Sequence, residues 1–279
     1  MAEGTITLPG GETVSSLGLG TWMMGESAAS FPDEVRALRA GIDAGLTVID
    51  TAEMYASGGA ERVVAEAIRN PPQKLFIVSK VLPSNASHAG TLKACHASLK
   101  RLGLACIDLY LLHWRGGTPL RETVRAFEEL KAEGKIRHWG VSNFDVSDME
   151  ELFSVPSGNN CAANQVQYSL SSRGVEFDLL PWQQEHGIPL MAYCPLGQGE
   201  LLTHKALQPL AEKHRVTAAA IALAFLLSRN QVQPIPKTSK PARIAEIAKA
   251  RTIALDADDL KLLDSAFPPP RRKQSLAMT

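Results

Sequence analysis

From residue 17 to residue 250 the chain alternates between short apolar runs and longer segments of helical periodicity, and this alternation restricts its fold more than any other feature. Strand-like runs fall at 17–20, 47–49, 75–79, 107–112, 136–141, 163–167, 189–193 and 232–235. Helical patterns lie between them, at about 33–44, 60–69, 89–101, 119–133, 146–153, 176–186, 205–214, 217–228 and 241–250, with a last one near 256–265. The helix at 33–44 shows the logic. Val35, Leu38 and Ile42 recur at helical spacing, and Asp33 and Glu34 fall in the first turn, where acids favour the positive end of the helix dipole. The helix at 60–69 is stopped by Pro71-Pro72, and the one at 119–133 ends at Gly134. Strands joined through helices return to the same end of a sheet and so run parallel. Eight such units in 279 residues predict an α/β fold, a single-domain (β/α)8 TIM barrel over residues 1–279 with extra C-terminal helices. The alternative is a doubly wound open sheet. Ahead of the first unit, residues 5–8 and 13–16 flank Pro9-Gly10-Gly11, the signature of an N-terminal β-hairpin that could cap one end of the barrel.

Composition narrows the function classes. Lys plus Arg and Asp plus Glu both number 29, so the net charge is zero and nothing favours nucleic acid or an anionic membrane as partner. No apolar run is long enough to span a bilayer, and MAEGTITL lacks the layout of a signal peptide, so the expected compartment is the cytoplasm. Cys95, Cys106, Cys161 and Cys194 form no C-x-x-C pair and are expected to be reduced, mostly buried thiols. Cys95 and His96 are adjacent on a helix and point in different directions, so no shared metal is expected there.

Chemistry gathers at the strand ends. The 47–49 strand closes on Asp50, with Tyr55 five positions on. The 75–79 strand closes on Lys80 and the 107–112 strand on His113. In a parallel barrel these ends share one rim, which carries the active site. Asp50 can pair with Lys80. The lysine cation is expected to lower the Tyr55 pKa, making the phenol a general acid near neutrality. His113 can donate to a carbonyl oxygen as charge develops there. Each residue alone has a plainer reading: a helix-capping acid, a snorkelling rim lysine, a satisfied loop histidine. Together, at successive strand ends, they suit protonation of a carbonyl oxygen while hydride arrives at the carbon.

Hydride needs a cofactor. Gly18 and Gly20 do not extend into G-x-G-x-x-G, so a Rossmann site is not expected. A barrel has another phosphate site, in the loops after its last strands. Here that loop reads Ile235-Pro236-Lys237-Thr238-Ser239-Lys240-Pro241-Ala242-Arg243 and opens a helix at Pro241. Its cations and hydroxyls suit a phosphate monoester such as the 2′-phosphate of NADP. Its plainer reading is a polar loop with proline at the first helical position.

GLGTW (18–22), DTAEMY (50–55), SK (79–80), LLHW (111–114), KIRHWGVSNF (135–144), NQVQY (164–168), AYCPLG (192–197) and IPKTSKPARI (235–244) together resemble the aldo-keto reductases. The similarity runs from the first strand to the last helix, in the family's order. DTAEMYASGGAE and LLHWRG resemble a bacterial branch linked to methylglyoxal reduction. The resemblance implies NADPH/NADP as cofactor and a small-molecule carbonyl substrate, with Tyr55 as proton donor, Lys80 and Asp50 as its tuning pair and His113 orienting the carbonyl. It places Thr21 and Trp22 beside the cofactor. Ser142, Asn143 and Gln165 would bond the nicotinamide amide, and Tyr193 would stack on its ring. Leu196, Gly197 and Gln198 would close over the pyrophosphate. Lys237, Thr238 and Arg243 would hold the 2′-phosphate and adenosine, with Glu246 near the adenine, while Trp22 and Trp114 would wall the substrate pocket.

Two departures from the family pattern stand out. Ile247 occupies a position where many members place an asparagine against adenine, and the short tail predicts an open site tolerant of small aldehydes. Trp139 is expected in strand–helix packing, and Glu128-Glu129 on a solvated helix face. The expected function is NADPH-dependent carbonyl reduction by a monomer. A metal-dependent barrel hydrolase is disfavoured, because the strand ends lack a cluster of ligands. An NADPH-binding redox-sensing subunit with slow turnover is the remaining alternative.

Overall fold

The computed structural model describes residues 4–278. Residues 1–3, on which the leader reading partly rests, and Thr279 lie outside it. The hairpin is formed by β1 (Thr5–Thr7) and β2 (Thr13–Ser15), antiparallel with Ile6 opposite Val14. Eight parallel strands follow: β3 (Gly18–Gly20), β4 (Val48–Asp50), β5 (Phe76–Val81), β6 (Ile107–Leu112), β7 (Ile136–Ser142), β8 (Asn164–Gln167), β9 (Leu190–Tyr193) and β10 (Val232–Pro234). Each pairs with the next in chain order. The seam between the first and last is bridged by one bond, from Gly20 N–H to Pro236 O at 3.0 Å. Only glycine allows that approach, since a Cβ on Gly20 would lie 2.9 Å from Ile235 O. The result is a nearly closed (β/α)8 barrel.

The outer layer is α1 (Phe31–Asp43), α2 (Gly59–Ala67), α3 (His88–Leu102), α4 (Leu120–Ala132), α5 (Val146–Ser154), α6 (Leu179–Glu185), α7 (Gln208–His214), α8 (Ala218–Leu227), α9 (Ile244–Lys249) and α10 (Ala257–Ala266). The sequence places these helices within a few residues, with two instructive exceptions. The 176–186 pattern splits into a 3-10 turn at Gly174–Glu176 and the shorter α6. Pro241 opens a 3-10 turn, and the α-helix begins only at Ile244.

Strand periodicity explains where polar groups collect. Successive strand residues point to opposite faces, so Val48 and Asp50 share one face, as do Phe76, Val78 and Lys80. Val48, Phe76, Val78, Leu109, Leu111, Met191 and Ile235 form one buried cluster with Ile6, Leu8 and Val14 of the hairpin. That cluster is the lower barrel interior, and the hairpin plugs it. Glu12, in the hairpin loop, ties the plug in place through Arg137 at 2.6 Å and His138 at 2.8 Å. The opposite strand faces pack against the helices in a second, larger core. There Trp139 is fully buried and stacks on Phe127 of α4. Its indole N–H donates to Glu128 at 2.6 Å, so the expectation of a purely solvated acidic stretch is corrected: Glu128 satisfies a buried donor and also accepts from Asn160. Glu129 pairs with His88.

Of the cysteines, Cys95 and Cys161 are buried and Cys106 and Cys194 are partly exposed; none of the four is in a disulfide. The short tail is fastened across two loops, with Lys273 pairing with Asp145 at 2.9 Å and Asp178 at 2.7 Å. Among the described residues no helix is long and apolar enough to cross a membrane, and no group of three or more His, Cys, Asp or Glu could hold a metal ion.

Candidate active site

Above the apolar plug the inward-facing positions turn polar. Asp50 ends β4, Lys80 lies near the end of β5, His113 follows β6 and Gln165 sits on β8. Lys80 Nζ is 2.8 and 2.7 Å from the two Asp50 oxygens and 2.9 Å from Thr51 O. The lysine and aspartate side chains are 0% and 3% exposed, which makes this an ion pair inside the protein rather than a surface contact. Asp50 Oδ1 also accepts from Gln165 Nε2 at 2.7 Å, and its main-chain oxygen accepts from Thr21 Oγ1 at 2.9 Å. A charged pair taken out of water is tolerable only when its remaining lone pairs and protons find partners, and here they do.

Tyr55 lies over this pair. Its hydroxyl is 3.4 Å from Lys80 Nζ, and the ammonium sits 5.0 Å from the ring centroid. The ring meets His113 edge-on at 5.7 Å, and His113 in turn lies 5.0 Å from Trp114. A run of left-handed residues follows Tyr55, with φ of 49° at Ala56 and 51° at Ser57. Two contacts that sequence reasoning missed hold this loop. Glu53 accepts from Leu82 N–H and Asn85, tying the loop after β4 to the loop after β5. Glu34 accepts from Gly25 N–H, and Gly25 packs so closely on α2 that an added Cβ would lie 2.6 Å from Gly59 O. The acids themselves were visible in the sequence, but nothing there marked their partners.

The electrostatics depart from expectation in one respect. The Tyr55 pKa is raised well above the usual phenol value, not lowered. Burial is the main cause, and the nearby Asp50 carboxylate and Cys194 add to it. The Lys80 charge is already matched by Asp50 and cannot outweigh desolvation. Lys80 is itself pulled down by burial, with Asp50 opposing. His113 is pushed down to about 3, by burial first and by Lys80 second. Its imidazole is therefore neutral in ordinary buffers, and its buried Nδ1 has no hydrogen-bond partner.

The residues expected to hold a nicotinamide stand together at the ends of β7, β8 and β9, bonded largely to one another. Asn143, at a left-handed φ of 60°, donates to His113 O and Ser142 Oγ and accepts from Tyr193 OH at 2.9 Å. Gln165 gives its N–H to Asp50. What they leave for a ligand is the Ser142 hydroxyl proton and the Gln165 carbonyl oxygen. Leu196, Gly197 and Gln198 lie in a tight loop with φ of 56° at Gly197 and 54° at Gln198. The left-handed φ at Gly197 favours glycine there, and a Cβ would also press on the Glu200 side chain. Past β10, Thr238 Oγ1 accepts from Lys240 N–H, while Lys237, Lys240 and Arg243 are exposed and make no salt bridge among the described residues. Unpaired cations beside a buried hydroxyl fit a phosphate. Glu246 is exposed, whereas Ile247 is buried against the core and directs its side chain away from that surface. Trp22 is 38% exposed at the rim beside Met23.

Residues 16–267 match the aldo/keto reductase family. The chain is 48% identical over 283 residues to methylglyoxal reductase YeaE of Escherichia coli K12, covering all of both chains. It is 34% identical to a glyoxal reductase of Bacillus subtilis, over 94% of this chain and 92% of the relative. An aldo/keto reductase of Klebsiella pneumoniae, solved in complex with NADP and acetate, superposes with a TM-score of 0.97 at 49% identity over the full length of both.

The His113 environment fixes a pH signature. The folded-state value of about 3 lies below the ordinary 6.5. Between those values the unfolded chain binds one more proton at this site, so stability falls as pH drops through that window and is complete above it. Denaturant unfolding from about pH 4 to 6 should show a slope smaller by up to ~1.4 kcal/mol per pH unit in His113→Asn than in the parent. Equal slopes would mean that His113 is not held neutral by its surroundings.

Proposed function

The chain belongs to the aldo/keto reductase family, and from that premise we propose that it reduces small aldehydes, methylglyoxal among them, to alcohols, with Tyr55 as proton donor. It is an oxidoreductase dependent on NADP(H), in keeping with its near-identical fold to a relative crystallised with NADPH. The observation that carries the proposal is the placement of the Tyr55 hydroxyl 3.4 Å from a lysine that is itself bonded to a buried aspartate.

Bound NADPH supplies hydride to the carbonyl carbon. As negative charge grows on the carbonyl oxygen, Tyr55 Oη gives up its proton to it. The raised pKa of the phenol keeps that proton in place until the oxygen becomes basic, so the acid is loaded at every working pH. Lys80 then lies against the nascent phenolate, and Asp50 holds Lys80 in position. His113, neutral, can donate to the same oxygen without bringing a competing charge. Trp22 and Trp114 shape the mouth around the substrate. Ser142 and Gln165 would meet the nicotinamide amide with the hydroxyl proton and carbonyl oxygen that they leave available, and Asn143 by exchanging a bond it now makes to His113, Ser142 or Tyr193, with Tyr193 against the ring. Leu196, Gly197 and Gln198 would cover the pyrophosphate. Lys237, Thr238 and Arg243 would take the 2′-phosphate, with Glu246 towards the adenine.

The test is NADPH oxidation by the purified protein with methylglyoxal in the presence of chelator, with NADH in parallel. Tyr55→Phe should lower turnover by at least about a hundredfold while NADPH binding persists. Surviving turnover would remove Tyr55 as the acid. Lys237→Ala and Arg243→Ala should each raise the NADPH KM about tenfold and leave the NADH KM nearly unchanged, because a charge-assisted phosphate contact is lost only with NADPH. Equal effects on both nucleotides would reject the phosphate assignment.

A further inference from the structure

Glu61 is a buried acid that the reaction above does not use. It lies in the first turn of α2, and that helix begins four residues after Tyr55. The intervening backbone is left-handed at Ala56, Ser57 and Gly58, with φ of 49°, 51° and 81°. Such a run persists only where its surroundings over-determine it. Glu61 is 0% exposed. Its Oε1 accepts from Ser79 Oγ at 2.7 Å, and its Oε2 pairs with Arg101 Nε of α3. Arg101 also donates to Ser98 at 3.1 Å, and its side chain lies directly across Gly58. Ser79 is the residue before Lys80. By strand alternation it points to the helix layer while Lys80 points into the barrel.

These contacts join three parts of the site. α2 anchors the turn that carries Tyr55, β5 carries Lys80, and Arg101 clamps the turn from outside. A carboxylate with no solvent access is disfavoured unless its partners are well placed, so its presence beside both ends of the donor pair calls for a role. We propose that Glu61, with Ser79 and Arg101, is a positioning unit that holds the Tyr55 turn against β5 and so fixes the distance between the phenol and the Lys80 ammonium. This rests on the reading of Tyr55 as the proton donor. The groups facing Lys80 are Asp50 from β4, Tyr55 from its turn, His113 from the end of β6, and Glu61 from α2 behind the strand, with Arg101 of α3 acting on Glu61. The charge on Glu61 favours the ammonium form of Lys80.

The experiment compares Glu61→Gln, Ser79→Ala, Arg101→Met, the Glu61→Gln/Arg101→Met pair and Tyr55→Phe in NADPH-dependent methylglyoxal reduction. Glu61→Gln should lower kcat roughly tenfold to a hundredfold, the scale of a small misplacement of a reacting group, with the NADPH dissociation constant unchanged. The alkaline limb of its kcat/KM profile should move to lower pH, because Lys80 loses a supporting charge. Ser79→Ala should change kcat in the same direction by less. The double variant should recover kcat relative to Arg101→Met, which leaves the carboxylate buried and unpaired. A purely structural role would appear as a lower melting temperature with kcat and the alkaline limb at parent values, and would overturn the proposal. If Glu61→Gln does not fold, parent kcat and profile in Ser79→Ala would overturn it equally. Should Tyr55→Phe itself stay active, the donor assignment fails, and this proposal with it. Loss in Tyr55→Phe with no change in the Glu61 variants sinks this proposal alone.

Discussion

The buried ion pair between Lys80 and Asp50 is the interaction on which the rest of the site depends. Both side chains are within 3% of complete burial, and four strand ends converge on them. β4 and β5 supply the pair, β8 adds Gln165, and the residue after β3 adds Thr21. Removing either charge would leave the other uncompensated in the barrel interior, at about 3–5 kcal/mol. A well-packed apolar pair could fill the same space at no loss of stability. The pair is therefore better understood as a device for holding a cation under a phenol than as a source of stability.

The barrel makes that device possible by separating its interior into two zones. Apolar side chains and the N-terminal hairpin fill the lower part, beneath the ion pair. The polar groups occupy the strand ends, where loops bring Tyr55 and the aromatic rim over them. Burial then sets the protonation states. It raises Tyr55 and lowers His113, leaving both neutral and able to donate. Burial thus keeps the phenol protonated and the imidazole uncharged.

The strand–helix alternation made the barrel legible, because periods of 2 and 3.6 survive in the sequence whatever the packing. Asp50, Lys80 and His113 were legible for the same reason, since position on a strand fixes both end and face. Tertiary environment was not. The Tyr55 shift had the opposite sign from the expectation, because desolvation depends on what covers the ring. Glu128 read as solvated because its partner, Trp139, lies eleven residues away on a strand. Asn143 and Gln165 gave no sign of being bonded to their own neighbours. Ile247 could be marked as a departure, but only the packing of α9 shows that it faces the core.

Whether Lys80 and Asp50 act as one unit is read from a double-mutant cycle. Urea unfolding of the parent, Lys80→Met, Asp50→Asn and the double variant yields the coupling free energy. The double variant should lose less stability than the two single losses summed, by about 2 kcal/mol or more. Losses that add within about 0.5 kcal/mol would show two independent side chains and contradict it.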